Sequence, residues 1–226
     1  MKIFRIPHIV MSAFPNIIWR QPRSNSPCVY LTFDDGPHPH FTEKIMDILQ
    51  EQGAGATFFM LGKMALKYPS LVRAVCDRGH TVALHSFEHR RLFFQSSNYF
   101  LQQLKLSKEI VEQIIEQPVH LFRPPHGIFR PGLIRACRSL NLRMALWSVL
   151  TYDYDLNVTD RTILHLVQSD VKNGDIIVFH DGHCNSRRTV EILVQVISIL
   201  KDKDFELIPL KILPHLLVVD EDVVHF

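Results

Sequence analysis

Short apolar segments alternate with amphipathic helical segments from Cys28 almost to the end of this 226-residue chain. A strand, a helix and a further strand in succession favour a parallel sheet with helical crossovers. About seven such units are enough for the sheet to curl into a barrel, so we expect an α/β fold. The predicted strands are 28–33, 56–60, 81–84, 121–122, 142–147, 175–179 and 205–210, and the predicted helices are 41–52, 69–78, 98–116, 159–171 and 187–200, with another beginning at Pro131.

The alternation predicts one barrel domain preceded by a short extension. No linker rich in Gly, Ser or Pro interrupts the pattern, and 226 residues suit a single domain. We therefore assign residues 28–226 to the barrel and residues 1–27 to an N-terminal segment that packs on it.

The N-terminal segment resembles a signal peptide only in part. Lys2 and Arg5 precede an apolar stretch, but Pro7 and His8 interrupt it, and no small-residue cleavage site follows before Arg20. No later run approaches the roughly 20 apolar residues of a membrane span. We expect a retained segment in a cytoplasmic protein, with membrane association or export through an atypical N-terminus as the alternatives.

Charge and cysteine content exclude some classes of function. The 25 basic and 23 acidic residues leave a net charge of +2, without the basic run that a nucleic-acid partner needs. The four cysteines form no C-x-x-C pair, which argues against a structural zinc knot and against a disulfide framework. We expect free thiols and no nucleic-acid partner.

Polar residues stand directly after several of the predicted strands. In a barrel of parallel strands the loops at the carboxyl ends meet on one face, where active sites are built. Residues that are distant in the sequence are therefore expected to be neighbours there. The residues at these positions are Asp34, Asp35, His85, Arg123, Ser148, His180 and Asp181.

His85 and His89 have the spacing of a metal site. If the chain turns into a helix after strand 81–84, the two imidazoles lie at i and i+4 on one face. A carboxylate from another loop would complete a set with open positions for water and substrate. A cation would also explain the adjacent Asp34 and Asp35, since it compensates one charge and leaves the other to accept a proton. The alternatives are packing histidines and a surface turn.

Several motifs, in order, resemble those of the polysaccharide deacetylase family with a NodB-type domain, also called carbohydrate esterase family 4. The resemblance extends from about Val29 to Val194 and implies a distorted (β/α) barrel of about seven parallel strands. The motifs are TFDDGP (32–37), HSFEH (85–89), RPPHG (123–127), the segment 147–153 and IIVFHD (176–181).

The resemblance implies one divalent metal ion held by Asp35, His85 and His89. Zinc is the expected ion, with Co2+, Ni2+, Fe2+ or Mn2+ as alternatives.

The resemblance also implies roles for the groups around the metal. Asp34 would be the general base that activates the hydrolytic water, and His180 would protonate the departing amine. Arg123 would orient Asp34, and Asp153 would tune His180.

The family pattern further implies a substrate-binding wall. A backbone N–H near His126 would stabilise the oxyanion, and Trp147, Tyr154 and Val178 would line the site against the sugar and the acetyl methyl group. The chain departs from the family pattern at Leu150, where Asp is frequent, and also at His126 and Tyr154, where Tyr and Trp are frequent. These differences bear on substrate choice. His183 and Cys184 are further candidates to approach the metal.

The implied function is removal of an N-acetyl group from an N-acetylglucosamine-type saccharide such as peptidoglycan or a chitin oligomer. One alternative is a deacylase of a lipid-linked or other intracellular N-acyl substrate. Arg90 and Arg91 beside two phenylalanines would suit such a substrate, but the interpretation we prefer for them is a solvated edge next to a packed helix. Another is a non-catalytic carbohydrate-binding relative. A peptidase with Glu88 as base is suggested by His85-x-x-Glu88-His89, but that signature belongs on a long helix.

Overall fold

Eight short strands form one parallel sheet in the computed structural model, which describes residues 2–23, 25–90 and 96–212. The strands run in the order β5-β4-β3-β2-β1-β7-β6, and β8 pairs with β1. This curled sheet confirms the predicted α/β fold. The strands are β1 (Cys28–Asp34), β2 (Ala56–Met60), β3 (Thr81–Leu84), β4 (Leu121–Phe122), β5 (Arg143–Met144), β6 (Val149–Leu150), β7 (Ile176–His180) and β8 (Glu206–Leu207).

Helices connect the strands and cover the outer face of the sheet. Most bounds differ from the predicted ones by one or two residues, but α1 and α3 were missed because each is only one to two turns long. The helices are α1 (His8–Ala13), α2 (Thr42–Glu51), α3 (Gly62–Lys67), α4 (Pro69–Asp77), α5 (Ser97–Ile115), α6 (Pro131–Ser139), α7 (Asp160–Asp170) and α8 (Ser186–Lys201). None of them is long and apolar enough to cross a membrane, as far as the described residues extend.

Both faces of the sheet are buried, as is usual for parallel sheets. In β1, Val29, Leu31 and Phe33 pack under the helices. Cys28 and Tyr30 point into the barrel instead. Because alternate residues share a face, Thr32 and Asp34 also point into the barrel, above Tyr30. The last residue of the strand therefore places a carboxylate at the upper end of the interior.

The sheet is open between its edge strands β5 and β6, and the N-terminal segment covers this gap. Ile18 bridges to Ala145 and Arg5 bridges to Val149. Backbone hydrogen bonds join Ile18 N to the Met144 carbonyl and Leu146 N to the Ile18 carbonyl, both at 2.9 Å. The segment thus supplies the backbone partners that a closed barrel would have between neighbouring strands.

Asp175 fixes this arrangement at the lower end of the barrel. Its carboxylate is fully buried and forms ion pairs with Arg5 and Arg20, each at 2.7 Å. It also accepts hydrogen bonds from the Ser148 hydroxyl and from Lys172 N, each at 2.8 Å. The carboxylate therefore ties both ends of the N-terminal segment to the start of β7.

The predicted strand 142–147 was wrong in its extent. Only Arg143–Met144 is a strand, and pairing resumes at Val149–Leu150. The carbonyls of Ala145 and Leu146 instead accept hydrogen bonds from the Arg123 guanidinium. The predicted strand 205–210 is likewise reduced to Glu206–Leu207.

Some predictions fall outside the described residues. These include the 91–95 part of the loop with Arg90 and Arg91, and the end of the barrel domain beyond residue 212. All four cysteines are unpaired, as expected.

Replacing Asp175 by Asn is expected to lower the free energy of unfolding by about 3 kcal/mol, because Arg5 and Arg20 lose a buried anionic partner. Urea denaturation followed by circular dichroism measures this change. Asp202→Asn, at an exposed position, is the control and should change the value by less than about 0.5 kcal/mol. An Asp175→Asn protein as stable as wild type would contradict the clamping role.

Candidate active site

Most of the polar residues predicted at strand ends gather at the carboxyl edge of the sheet. Asp34 and His180 end β1 and β7 and are paired in register. His85 and Arg123 follow β3 and β4 directly. Parallel neighbouring strands end at the same edge, which brings these side chains into one site.

Ser148 does not belong to this site, so its predicted position was wrong. Its hydroxyl donates to Asp175 at the opposite end of the barrel. The reason is that segment 145–148 leaves the sheet between β5 and β6 and pairs with the N-terminal segment.

Arg123 and Asp34 form a buried ion pair, with 2.6 Å between the guanidinium and Asp34 Oδ1. The same guanidinium nitrogen donates to the Thr32 hydroxyl at 2.9 Å, and the Phe59 ring lies 3.8 Å from the guanidinium carbon. Burial lowers the pKa of Arg123, although Asp34 opposes that shift. Thr32 was missed by the sequence analysis, because a threonine within a strand carries no distinctive signal.

Asp35, His85 and His89 form the one cluster of at least three potential metal ligands within the described parts of the chain. Their ligand atoms all lie within 4.8 Å of one another. Asp35 Oδ1 is 3.5 Å from His85 Nε2 and 3.4 Å from His89 Nε2. This oxygen is buried and has no hydrogen-bond partner among the described residues. A divalent cation between these atoms would satisfy it, so the donor set fits a metal.

The state of His85 also suits metal binding. Its Nδ1 lies 2.8 Å from the Arg123 carbonyl, which can only accept, so Nδ1 carries the proton and Nε2 keeps its lone pair. Burial lowers the pKa of His85 to about 3, although Asp35 opposes the shift. The imidazole is therefore neutral, as a ligand must be.

The two histidines do not lie on a helix, although their i and i+4 spacing had suggested one. Residues 87 and 88 form a bend, and Ser86 has a φ of 74°. The ring centroids of His85 and His89 are nevertheless 5.3 Å apart. The backbone turn replaces the helix in bringing the rings together.

His180 and Asp153 form a second polar pair. His180 Nδ1 lies 2.8 Å from Asp153 Oδ1, and His180 N donates to Asp153 Oδ2 at 2.8 Å. The Thr189 hydroxyl also donates to Oδ2, at 2.6 Å. Asp153 is thus held by several donors and fixes the orientation of the imidazole. Thr189 was another residue that the sequence did not reveal, since it lies on α8, far along the chain.

The predicted substrate-binding residues lie around these groups. Tyr154 meets the edge of His180 with ring centroids 4.8 Å apart, and His126 meets His89 at 4.4 Å. The Trp147 ring lies 5.7 Å from the Arg123 guanidinium. Val178 points to the same side as His180 but is only 1% exposed, so it lies beneath the site.

The remaining candidates lie apart from the metal cluster. Leu150 pairs with Val178 in the sheet and takes no part in the polar network of His180. His183 and Cys184 are absent from the metal-ligand cluster found among the described residues. His183 Nδ1 instead accepts a hydrogen bond from Asn185 N at 3.2 Å.

A family model described as polysaccharide deacetylase matches residues 21–145, more than half of the chain. This chain belongs to the polysaccharide deacetylase family. The matched residues include Asp34, Asp35, His85, His89 and Arg123, which the structure places together.

Several known deacetylases are similar to this chain over most of its length. A peptidoglycan-N-acetylglucosamine deacetylase of Bacillus cereus is 30% identical over 85% of this chain and 90% of its own length. A chitooligosaccharide deacetylase of Azorhizobium caulinodans is 33% identical over 70% of this chain and 75% of its own. The crystal structure of the Bc1960 peptidoglycan N-acetylglucosamine deacetylase has a TM-score of 0.82 and 28% identity, covering 91% of this chain and 95% of that one.

In this member of the polysaccharide deacetylase family, the surroundings of His180 favour the protonated imidazole. Burial alone would lower its pKa, but the Asp153 carboxylate, aided by Asp34 and Asp35, raises it to about 9. Burial would raise the pKa of Asp153, yet His180 holds it below its usual range. The pair is therefore ionised near neutral pH.

The Asp153–His180 pair should make stability depend on pH. Because His180 binds its proton more tightly in the folded state, the stabilisation is complete below about pH 6.5 and is lost as the pH rises through about 9. For Asp153→Asn we expect a deficit in the free energy of unfolding of about 3 kcal/mol at pH 6, shrinking by pH 9. Urea titrations across this range measure it, with the exposed Asp170→Asn as control. A deficit that does not change with pH would contradict the assignment.

Proposed function

We propose that this protein is a metal-dependent hydrolase that removes the N-acetyl group from an N-acetylglucosamine-type saccharide. The observation that carries the proposal is the meeting of three units at one edge of the sheet. These are the Asp35–His85–His89 cluster, the Asp34–Arg123 pair and the His180–Asp153 pair. Together they offer a metal site, a base and an acid, which hydrolysis of an amide requires.

Asp35, His85 and His89 would hold the metal ion. A neutral imidazole, a second imidazole and a carboxylate suit zinc, and also Co2+, Ni2+, Fe2+ or Mn2+. When bound, the ion supplies Lewis acidity, which lowers the pKa of a water molecule and polarises the acetyl carbonyl.

Asp34 acts as the general base. Arg123 holds one of its oxygens, and Asp35 next to it in the chain carries the metal-binding carboxylate. The ion pair fixes the direction of the Asp34 carboxylate. The second oxygen of Asp34 takes a proton from the water that attacks the amide carbonyl.

His180 acts as the general acid. Its Nδ1 is engaged by Asp153, so Nε2 is the nitrogen that gives a proton to the departing amine. A pKa raised to about 9 keeps the imidazole protonated at neutral pH. Base and acid are thus distinct groups on neighbouring strands.

The substrate would lie between the acid and the metal ligands. Tyr154 and Trp147 offer aromatic faces to the sugar and the acetyl methyl group, and Val178 lies beneath the site. His126 has a φ of 59°, which turns the backbone at residues 126–127 beside His89. A backbone N–H there would stabilise the oxyanion.

The relatives support the saccharide class. The Bacillus cereus relative is a peptidoglycan-N-acetylglucosamine deacetylase, and the Azorhizobium caulinodans relative is a chitooligosaccharide deacetylase. The non-catalytic alternative is disfavoured because base, acid and metal ligands are all present with their supporting contacts. The peptidase alternative is disfavoured because Glu88 forms an ion pair with Arg90 at 2.5 Å and lies on a bend.

Asp34→Asn is expected to lower acetate release by at least about 100-fold, because the base is removed while the fold is kept. The assay uses N-acetylglucosamine oligomers and peptidoglycan fragments, with zinc, with cobalt and with a chelator. Chelation should abolish release in the wild-type protein. Glu88→Gln is the matched control and should keep wild-type activity. Loss of activity in Glu88→Gln, with retention in Asp34→Asn, would overturn the assignment.

A further inference from the structure

Asp181 is a buried carboxyl group that the proposed mechanism does not use. It follows β7 directly and is 0% exposed. Its Oδ2 accepts a hydrogen bond from the Thr42 hydroxyl at 2.5 Å, whereas Oδ1 is without a partner in the described residues. No ion pair to Asp181 occurs there either. A buried oxygen without a partner lowers stability, and an apolar side chain would fill the same space at a smaller cost.

Asp181 packs directly against the turn that carries Asp34 and Asp35. A Cβ atom added to Gly36 would lie 2.2 Å from Asp181 Oδ2, so the carboxyl lies against the Gly36 backbone. A Cβ atom added to Gly182 would lie 2.2 Å from the Asp35 carbonyl oxygen. The two glycines permit an approach that no other residue would allow.

Backbone hydrogen bonds hold the same turn. Asp181 N and Gly182 N both donate to the Asp34 carbonyl, at 3.0 and 3.3 Å. The Gly36 carbonyl accepts from Leu61 N at 2.9 Å. The turn is therefore held between the end of β7 and the end of β2.

The turn needs this support because Asp35 has a φ of 77°. For a residue other than glycine, that conformation costs about 1–3 kcal/mol and persists only where the surroundings impose it. It directs Asp34 towards Arg123 and Asp35 towards the two histidines. Relaxation of the turn would displace the oxygen of Asp35 that faces His85 and His89.

Thr42 extends the connection to the start of α2. Its hydroxyl donates to Asp181 and accepts from His38 N at 2.7 Å. The carboxyl of Asp181 thus links the end of β7 to Gly36 and to the first residue of α2.

We propose that Asp181 is a positioning residue for the metal site. Held by Thr42 and packed under Gly36, it keeps the Asp34–Asp35 turn in the conformation that presents Asp35 to the ion. The proposal rests on the metal site of the proposed function. Its test therefore measures metal affinity and not only turnover.

The experiment compares the wild-type protein with its variants in two measurements. One is zinc affinity, by competition with a chromogenic chelator, and the other is the absorption spectrum of bound Co2+. Asp181→Ala is expected to weaken zinc binding by about 10-fold or more and to alter the Co2+ spectrum. Asp181→Asn keeps an oxygen acceptor and the volume, so it should restore affinity to within about threefold of wild type. Asp175→Asn is the matched control, since Asp175 is equally buried at the other end of β7. It should lose stability without losing affinity.

Thr42 provides an independent pair of variants in case Asp181→Ala does not fold. Thr42→Val removes the hydroxyl and should weaken zinc binding, whereas Thr42→Ser keeps it and should restore affinity. Wild-type affinity and an unchanged Co2+ spectrum in folded Asp181→Ala, or in Thr42→Val, would overturn the proposal. Wild-type protein that binds no ion would overturn the proposed function itself and this inference with it.

Discussion

The rest of the site depends on the hydrogen bonds that the buried Arg123 makes through its guanidinium and its carbonyl. The guanidinium binds Asp34 and donates hydrogen bonds to the carbonyls of Ala145 and Leu146, where the sheet is interrupted. The Arg123 carbonyl accepts the proton on His85 Nδ1 and so sets the tautomer of a metal ligand. One residue therefore joins the base, the metal site and the open edge of the barrel. A buried charge of this kind is tolerable only because its partners surround it on several sides.

Two histidines near the same aspartates have pKa values that are shifted in opposite directions. Burial is the largest influence on the pKa of His85. It lowers this pKa to about 3 and makes the imidazole a neutral ligand. His180 is largely enclosed as well, but Asp153 outweighs burial and raises its pKa to about 9. The difference arises chiefly from the hydrogen-bonded carboxylate of Asp153, and it separates the metal ligand from the proton donor.

The sequence predicted those parts of the structure that depend on local patterns. Alternating strands and helices predicted the parallel sheet, and the rule that parallel strands end at one edge gathered Asp34, His85, Arg123 and His180. What it missed depends on contacts between distant segments. Ser148 faces the other end of the barrel because segment 145–148 pairs with the N-terminal segment. The bend at 87–88, held by hydrogen bonds from Gly62 N and Lys63 N, and the packing of Asp181 under Gly36 likewise depend on neighbours far along the chain.

The most direct test of this account is anomalous diffraction from zinc-soaked crystals, recorded on both sides of the zinc absorption edge. We predict one peak at about 2.0–2.2 Å from Asp35 Oδ1, His85 Nε2 and His89 Nε2. The Asp34 carboxylate should remain bonded to Arg123 and outside the coordination shell. A peak elsewhere, or none at these three atoms, would contradict the metal site and with it the hydrolytic mechanism.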